Sequence, residues 1–273
     1  MPGKLTVCPT PIGNLGDVTE RVRAALYEAD LIACEVTRRA GRLLELIEVE
    51  GLKLLSYHEG NEAERARELA QSMERGENVA LISDAGTPGI SDPGFKLIRE
   101  CIERELEVEV LPGPTSITVA LLASGLPTHR WRFQGFLPRR TGELERVLQS
   151  ADTTIAFESP KRLPESLAAL ASLAPDRPAA VCRELTKLHE EVARGTLGEL
   201  SRRFRDEVRG EIVVVIGPSA GGTSPDIGFA VDALRGLVRS GARPRAAAGV
   251  VSALTGVPAN ELYKQLTGRS PRE

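Results

Sequence analysis

Four apolar residues, Val79-Ala80-Leu81-Ile82, run directly into Ser83-Asp84-Ala85-Gly86-Thr87-Pro88-Gly89-Ile90-Ser91-Asp92-Pro93-Gly94, and this junction constrains the fold more than any other segment. A buried strand that empties into glycines, prolines, hydroxyls and carboxylates is how an open α/β sheet presents backbone N–H groups to a ligand beyond the carboxyl ends of its strands. A plain strand-to-helix connection needs only about two or three turn residues. The length and polarity of this loop favour a small polar ligand over a tight turn.

The flanking pattern supports that setting. Short apolar runs at Leu5–Cys8, Leu31–Cys34, Lys53–Ser56, Val79–Ile82 and Val108–Leu111 alternate with helical periodicity at Val18–Ala29, Arg39–Val49, Asn61–Arg75, Phe95–Glu103 and Ser116–Ala123. Such alternation predicts βαβ units and a mainly parallel sheet. After the break at Gly125-Leu126-Pro127, a second, mixed α/β unit is expected. Its strands read as Arg132–Phe136, Thr154–Phe157, Ala179–Arg183 and Ile212–Ile216; its helices lie near Leu163–Leu173 and Leu200–Val208, with a turn around His189 and Thr196. Pro218–Pro225 reads as a flexible connector. Beyond it come three helices, the first capped by Asp226, the second running from Pro244 to near Gly256, the third opened by Pro258. The expected division is 1–125, 126–218 and 219–273. The tail is either a helix-turn-helix-like module, with Arg235, Arg239, Arg243 and Arg245 available to RNA, or a plain helical cap.

Two more loops follow strands. Thr10-Pro11-Ile12-Gly13-Asn14-Leu15-Gly16-Asp17 allows close backbone approach, and Pro112-Gly113-Pro114-Thr115-Ser116 opens a helix. All three should converge on one sheet edge. Neither GxGxxG nor GxxxxGK[ST] occurs, which argues against nicotinamide and P-loop chemistry. Cys8, Cys34, Cys101 and Cys182 are scattered without metal-ligand spacing, so reduced core thiols and no metal are expected. Met1-Pro2-Gly3-Lys4 leads into a strand, no apolar run reaches the ~18 residues of a membrane span, and a cytoplasmic protein is expected. With a net charge of -3, any RNA contact must come from a local basic patch.

Other groups read two ways. Glu158-Ser159-Pro160-Lys161-Arg162 either places an acid and two cations in the cleft or caps a helix. The Arg183–Glu191 stretch, His189 included, is a site segment or a charged loop. Arg130, Arg132, Arg139 and Arg140 around Trp131, Phe133 and Phe136 suit RNA or a dimer interface.

Taken together, PTPIGNLGD (9–17), SDAGTPGISDPG (83–94), LPGPTS (111–116), FQGFLPRR (133–140), FESPKRL (157–163) and GEIVVVIGP (210–218) resemble the bacterial small-subunit ribosomal RNA methyltransferase I family of the tetrapyrrole methylase superfamily. The resemblance covers essentially the whole chain. It implies two α/β domains with S-adenosylmethionine folded in the cleft between them, a homodimer, and 2′-O-methylation of a cytidine in 16S rRNA, in the decoding region of the small ribosomal subunit. It places Asp84, Gly86 and Thr87 at the donor's sugar and methionine portions, Thr115 and Ser116 near its amino acid end, and Phe157, Ile212 and Val213 around adenine. Arg139, Arg140, Lys161 and Arg162 are the candidate RNA contacts. A neutral ribose hydroxyl is a poor nucleophile, so a proton acceptor is expected. Asp92, Glu158 and, with a depressed pKa, Lys187 are candidates, as is a base supplied by the RNA. The rival readings are a tetrapyrrole or diphthamide-type methyltransferase and a non-enzymatic RNA-binding regulator.

Overall fold

A computed structural model describes residues 1–51, 53–219, 227–255 and 257–267. Strands β1 (Leu5–Val7), β2 (Leu31–Cys34), β3 (Lys53–Ser56), β4 (Val79–Ile82) and β5 (Val108–Val110) form one sheet in the order β3-β2-β4-β1-β5, every pair parallel. Helices α1 (Glu20–Glu28), α2 (Thr37–Leu46), α3 (Glu62–Glu74), α4 (Phe95–Glu103) and α5 (Ser116–Ser124) connect and follow these strands. Because side chains alternate along a strand, β4 sends Val79 and Leu81 into a core with Leu69, Met73 and Leu97 of α3 and α4. Ala80 and Ile82 enter the opposite core with Leu26 of α1 and Leu44 of α2. Burial on both faces explains why β4 is apolar throughout.

The second sheet is mixed. Strands β6 (Trp131–Phe136), β7 (Thr153–Glu158), β8 (Pro178–Arg183), β9 (Glu191–Thr196) and β10 (Ile212–Ile216) lie in the order β6-β7-β10-β8-β9. Only β6 and β7 run parallel; β10 is antiparallel to both neighbours, and β8 to β9. One face packs on α6 (Thr141–Leu148), α7 (Leu163–Leu173) and α8 (Leu197–Arg203). The other face buries Ile155, Ala180, Cys182, Val213 and Val215 against Ile117, Ala120 and Leu121 of α5. Helix α5 thus precedes Gly125 in sequence yet gives its apolar side to the second sheet, joining the halves into one packed body.

Three expectations change. The segment Glu191–Thr196, expected as a turn, is the edge strand β9 paired in register with β8. Helix α8 begins at Leu197, not near Leu200, because Thr196 and Glu199 form a capping box, and it ends at Arg203 rather than Val208. Helix α6 occupies a stretch assigned to no element. In the tail, α9 (Ile227–Arg239), α10 (Pro244–Thr255) and α11 (Ala259–Thr267) share a small core around Ala230, Leu234, Val251 and Leu262. Residues 220–225 of the expected connector, the Asp226 cap and Gly256 lie outside the described residues. The four cysteines are free and buried, and burial pushes the Cys8 and Cys101 thiols up to about 12. Among the described residues no helix is long and apolar enough to cross a membrane, and no cluster of His, Cys, Asp or Glu is placed to hold a metal ion.

Candidate active site

The strand order makes β1, β4 and β5 neighbours, so their three following loops meet at one end of the sheet, as the sequence predicts. Thr10 and Gly86 form an isolated antiparallel bridge, with the Thr10 N–H donating to the Gly86 carbonyl at 2.8 Å and the reverse bond at 3.0 Å. The Thr10 hydroxyl donates to the Ser83 carbonyl at 3.1 Å, and Thr87 Oγ1 to the Pro114 carbonyl at 3.3 Å. These bonds tie all three loops into one rigid rim. Gly86 sits at φ +81°, which favours glycine. A Cβ at Gly113 would stand 2.5 Å from Cβ of Pro9, so only glycine lets the first and third loops lie this close.

Between this rim and the inner face of the second sheet lies a cavity of about 440 Å³, within the range of small-molecule sites. Its lining combines apolar side chains, Ile12, Ile117, Phe157, Ile212 and Val213, with the polar Asp84, Thr87, Thr115 and Ser116 and the carboxylates Asp92, Glu35 and Glu211. Thr115 is the N-cap residue of α5, its side chain makes no capping bond, and the helix start Thr115-Ser116-Ile117 lines the cavity.

Two carboxylates here are paired and two are not. Arg39 Nη1 lies 2.6 Å from Asp84 Oδ2, and Lys187 Nζ lies 2.8 Å from Glu184 and 2.9 Å from Glu211. Glu35 and Asp92 form no ion pair with a described residue. Burial, reinforced by the Glu35 carboxylate and more weakly by Asp84 and Glu211, pushes the Asp92 carboxyl up to about 6 against an opposing Ser83 hydrogen bond. A carboxylate with that proton affinity is suited to accept a proton near neutral pH.

The other sequence candidates are differently placed. Glu158 is buried and committed: Oε1 accepts the Ser159 N–H and lies 3.4 Å from Arg162 Nη1, while Oε2 accepts the Ser166 hydroxyl. It anchors the start of α7. Lys187 would be a base only with a depressed pKa. Burial does work in that direction, but the hydrogen bonds to Glu184 and Glu211 outweigh it and the ammonium is held above its ordinary value. Arg162 is likewise engaged, donating from Nη2 to the Leu137 carbonyl at 3.1 Å. Arg139, Arg140 and Lys161 are exposed and carry no ion pair with a described residue. Of the arginines near Trp131, Arg132 bonds Thr154 and Val147, and Arg130 pairs with Asp152.

Sequence reasoning missed Glu35 and Arg39. Both follow β2, a neighbour of β4, and the rule that ligands gather beyond the carboxyl ends of strands would have reached them. They were overlooked because this loop has no glycine to mark it. The far end of the long loop is held by Glu62 of α3, whose Oε1 accepts the N–H groups of Gly94 at 3.0 Å and Lys96 at 3.4 Å.

Comparison with known proteins fits this architecture. The tetrapyrrole (corrin/porphyrin) methylase family model matches residues 4–201. Solved structures share the fold: diphthine synthase, with a TM-score of 0.64 and 15% identity, covers 79% of this chain and 90% of its own. Uroporphyrin-III C-methyltransferase from Thermus thermophilus, solved with S-adenyl homocysteine, gives a TM-score of 0.55 at 22% identity and covers 79% of this chain and 97% of its own. The chain belongs to the tetrapyrrole methylase family and is a methyltransferase. Within that family it is 42% identical over 271 residues to ribosomal RNA small subunit methyltransferase I of Micromonospora olivasterospora, covering 97% of this chain and 86% of that protein. The protein of the same name from Hydrogenobaculum sp. is 46% identical over 218 residues, covering 78% of this chain and 95% of its own.

Proposed function

We propose that this enzyme transfers the methyl group of S-adenosylmethionine to the 2′-hydroxyl of a cytidine in 16S rRNA, in the decoding region of the assembled small ribosomal subunit. The observation that carries the reading is a cleft lined by both apolar and acidic side chains, with Asp92 among them making no ion pair to a described residue. Its residues suit the donor. Phe157, Ile212 and Val213 offer an apolar bed for adenine, Asp84, Gly86 and Thr87 meet the sugar and methionine portions, and the Thr115–Ser116 start of α5 suits a carboxylate. Glu35 and Asp92 complement positive charge. The donor supplies an activated methyl group on a cationic sulfur that leaves as a neutral thioether. The protein aligns the nucleophile with that carbon, and Asp92 accepts the hydroxyl proton.

In this reading the chain works as three units, 1–125, 126–218 and 219–273. Arg139, Arg140 and Lys161 meet RNA phosphates beside the cleft, and the arginines of the tail add contacts to the subunit. A net charge of -3 gives little general attraction to RNA, which favours the assembled subunit over free rRNA as substrate. The homodimer belongs to the same proposal; apolar side chains left in solvent, Val110 on β5 and Leu122 on α5, supply surface for it.

Mapping ribose methylation in rRNA with and without the gene tests the substrate. One cytidine should lose its 2′-O-methyl in the deletion strain, and persistence of every such mark would sink the proposal. For the donor site, Asp84→Ala is expected to weaken S-adenosylmethionine binding by about ten- to hundredfold in calorimetric titration, the loss typical of a hydrogen bond to a charged group. An unchanged affinity would remove Asp84 from the site.

A further inference from the structure

The register of the second sheet places Val213 of β10, Phe157 of β7 and Phe136 of β6 side by side in one row. Registered neighbours share a face, at about 4.8 Å per strand, so the row is a shelf about 10 Å across. Its inner part, Phe157 with Val213, is the adenine bed proposed above. A single purine does not fill a row of three, and the outer end is Phe136 on the edge strand β6.

Phe136 reaches this face through an irregularity. Trp131, Arg132 and Phe133 oppose Thr153, Thr154 and Ile155, and a regular ladder would then set Gly135 opposite Phe157 and turn Phe136 to the other face. One extra residue enters between Phe133 and Phe136, with Gly135 at φ +75°, and Phe136 takes the position opposite Phe157. Bulges re-aim side chains in this way beside active sites. The phenyl ring meets Phe157 edge-on, with centroids 5.8 Å apart, and remains 56% exposed although it lines the cavity. Ile90, 45% exposed, lines the same cavity from the long loop. Arg139 and Arg140 follow β6 directly, and Lys161 follows β7.

An exposed aromatic side chain lining a cleft, on a strand that exposed cations follow in sequence, matches what proteins use to hold an unstacked base: the ring takes the base and the cations take the flanking phosphates. The cavity is lined by the loops beyond the first sheet and by β6, β7 and β10 of the second, so Phe136 is within the site that a target ribose would enter. We propose that Phe136 is the platform on which the target cytosine stacks after leaving its place in the RNA. The inference rests on the 16S rRNA reading given above.

The test uses small ribosomal subunits from a strain lacking the gene. Methyl transfer to them is compared for wild-type enzyme and for Phe136→Ala, Phe136→Leu and Phe136→Tyr, alongside S-adenosylmethionine affinity and thermal midpoint. Phe136→Ala should lower kcat/KM for the subunit by about ten- to hundredfold. Phe136→Leu should fall between, Phe136→Tyr should stay near wild type, and donor affinity should hold within about twofold throughout. A donor affinity that falls together with the rate would make Phe136 part of the adenine bed and overturn the proposal, as would an unchanged kcat/KM. Wild-type enzyme that binds the donor but leaves these subunits unmethylated would overturn the substrate reading, and the platform with it.

Discussion

Asp92→Asn is expected to lower kcat by about 10²–10⁴-fold, the contribution of a well-placed general base, while S-adenosylmethionine still binds. The side chain keeps its shape and loses only its ability to take a proton. In the wild-type enzyme the rate should fall as pH drops below about 6, where Asp92 becomes protonated. Glu35→Gln removes the most strongly acting of the repelling charges and should move that limb to lower pH. A pH–rate profile that is the same in wild type and Glu35→Gln would contradict the assignment. Stability should change in the opposite sense to activity. The folded value of about 6 lies above the ordinary 3.8, so the stability conferred by protonated Asp92 is complete below 3.8 and lost as pH rises through 6. Asp92→Asn removes that loss and should stabilise the protein at neutral pH by about 1 kcal/mol, after discounting for partial solvent exposure. A variant both inactive and harder to melt is the expected signature.

Glu62→Ala should cost about 3 kcal/mol, because it strips a buried acceptor from the Gly94 and Lys96 N–H groups and from Lys96 Nζ, which lies 3.2 Å away. For a chain of this size that corresponds to roughly 2–4 °C in Tm per kcal/mol. Glu62→Gln keeps an acceptor oxygen and should lose less. Burial alone would raise the Glu62 carboxyl, but the Gly94 and Lys96 bonds hold it below the ordinary 4.5. Its contribution is therefore present above 4.5 and lost as pH falls through the folded value, so the Tm gap between wild type and Glu62→Gln should close in acid. Because Glu62 pins the end of the long loop, Glu62→Ala should also weaken donor binding. An alanine variant as stable as wild type would show that the loop is held elsewhere.

The parallel sheet was legible because its strands are buried on both faces and therefore read as unbroken apolar runs, Leu31–Cys34 and Val79–Ile82 above all. Strand β9 was not, since an edge strand with one buried residue, Ala193, has almost no apolar signal, and its pairing with β8 is a long-range event. The start of α8 was readable in Thr196-Leu197-Gly198-Glu199, whose hydroxyl and acid at capping-box spacing were taken for turn residues. At the site, the loops declared themselves through glycine and proline. What sequence could not show was which charges are spent on one another. Glu158 and Arg162 look like free cleft groups in the linear order but are bonded together and to the backbone. Asp92 looks like any loop carboxylate until burial, reinforced by Glu35 after the neighbouring strand β2, raises its proton affinity.

The lodging of α5 on the second sheet has a consequence for how the chain comes off the ribosome. Its apolar side, Ile117, Ala120 and Leu121, packs against Ile155 of β7, Cys182 of β8 and Val213 of β10. That helix is complete when Ser124 has been added, but the central strand β10 ends at Ile216. Roughly ninety residues of synthesis separate them, or on the order of 5–20 s at ordinary elongation rates. Throughout that interval the nascent N-terminal half carries an uncovered greasy helix beside an otherwise complete parallel sheet. Until β10 has been made, this side of α5 lacks the strand surface that buries it in the finished enzyme.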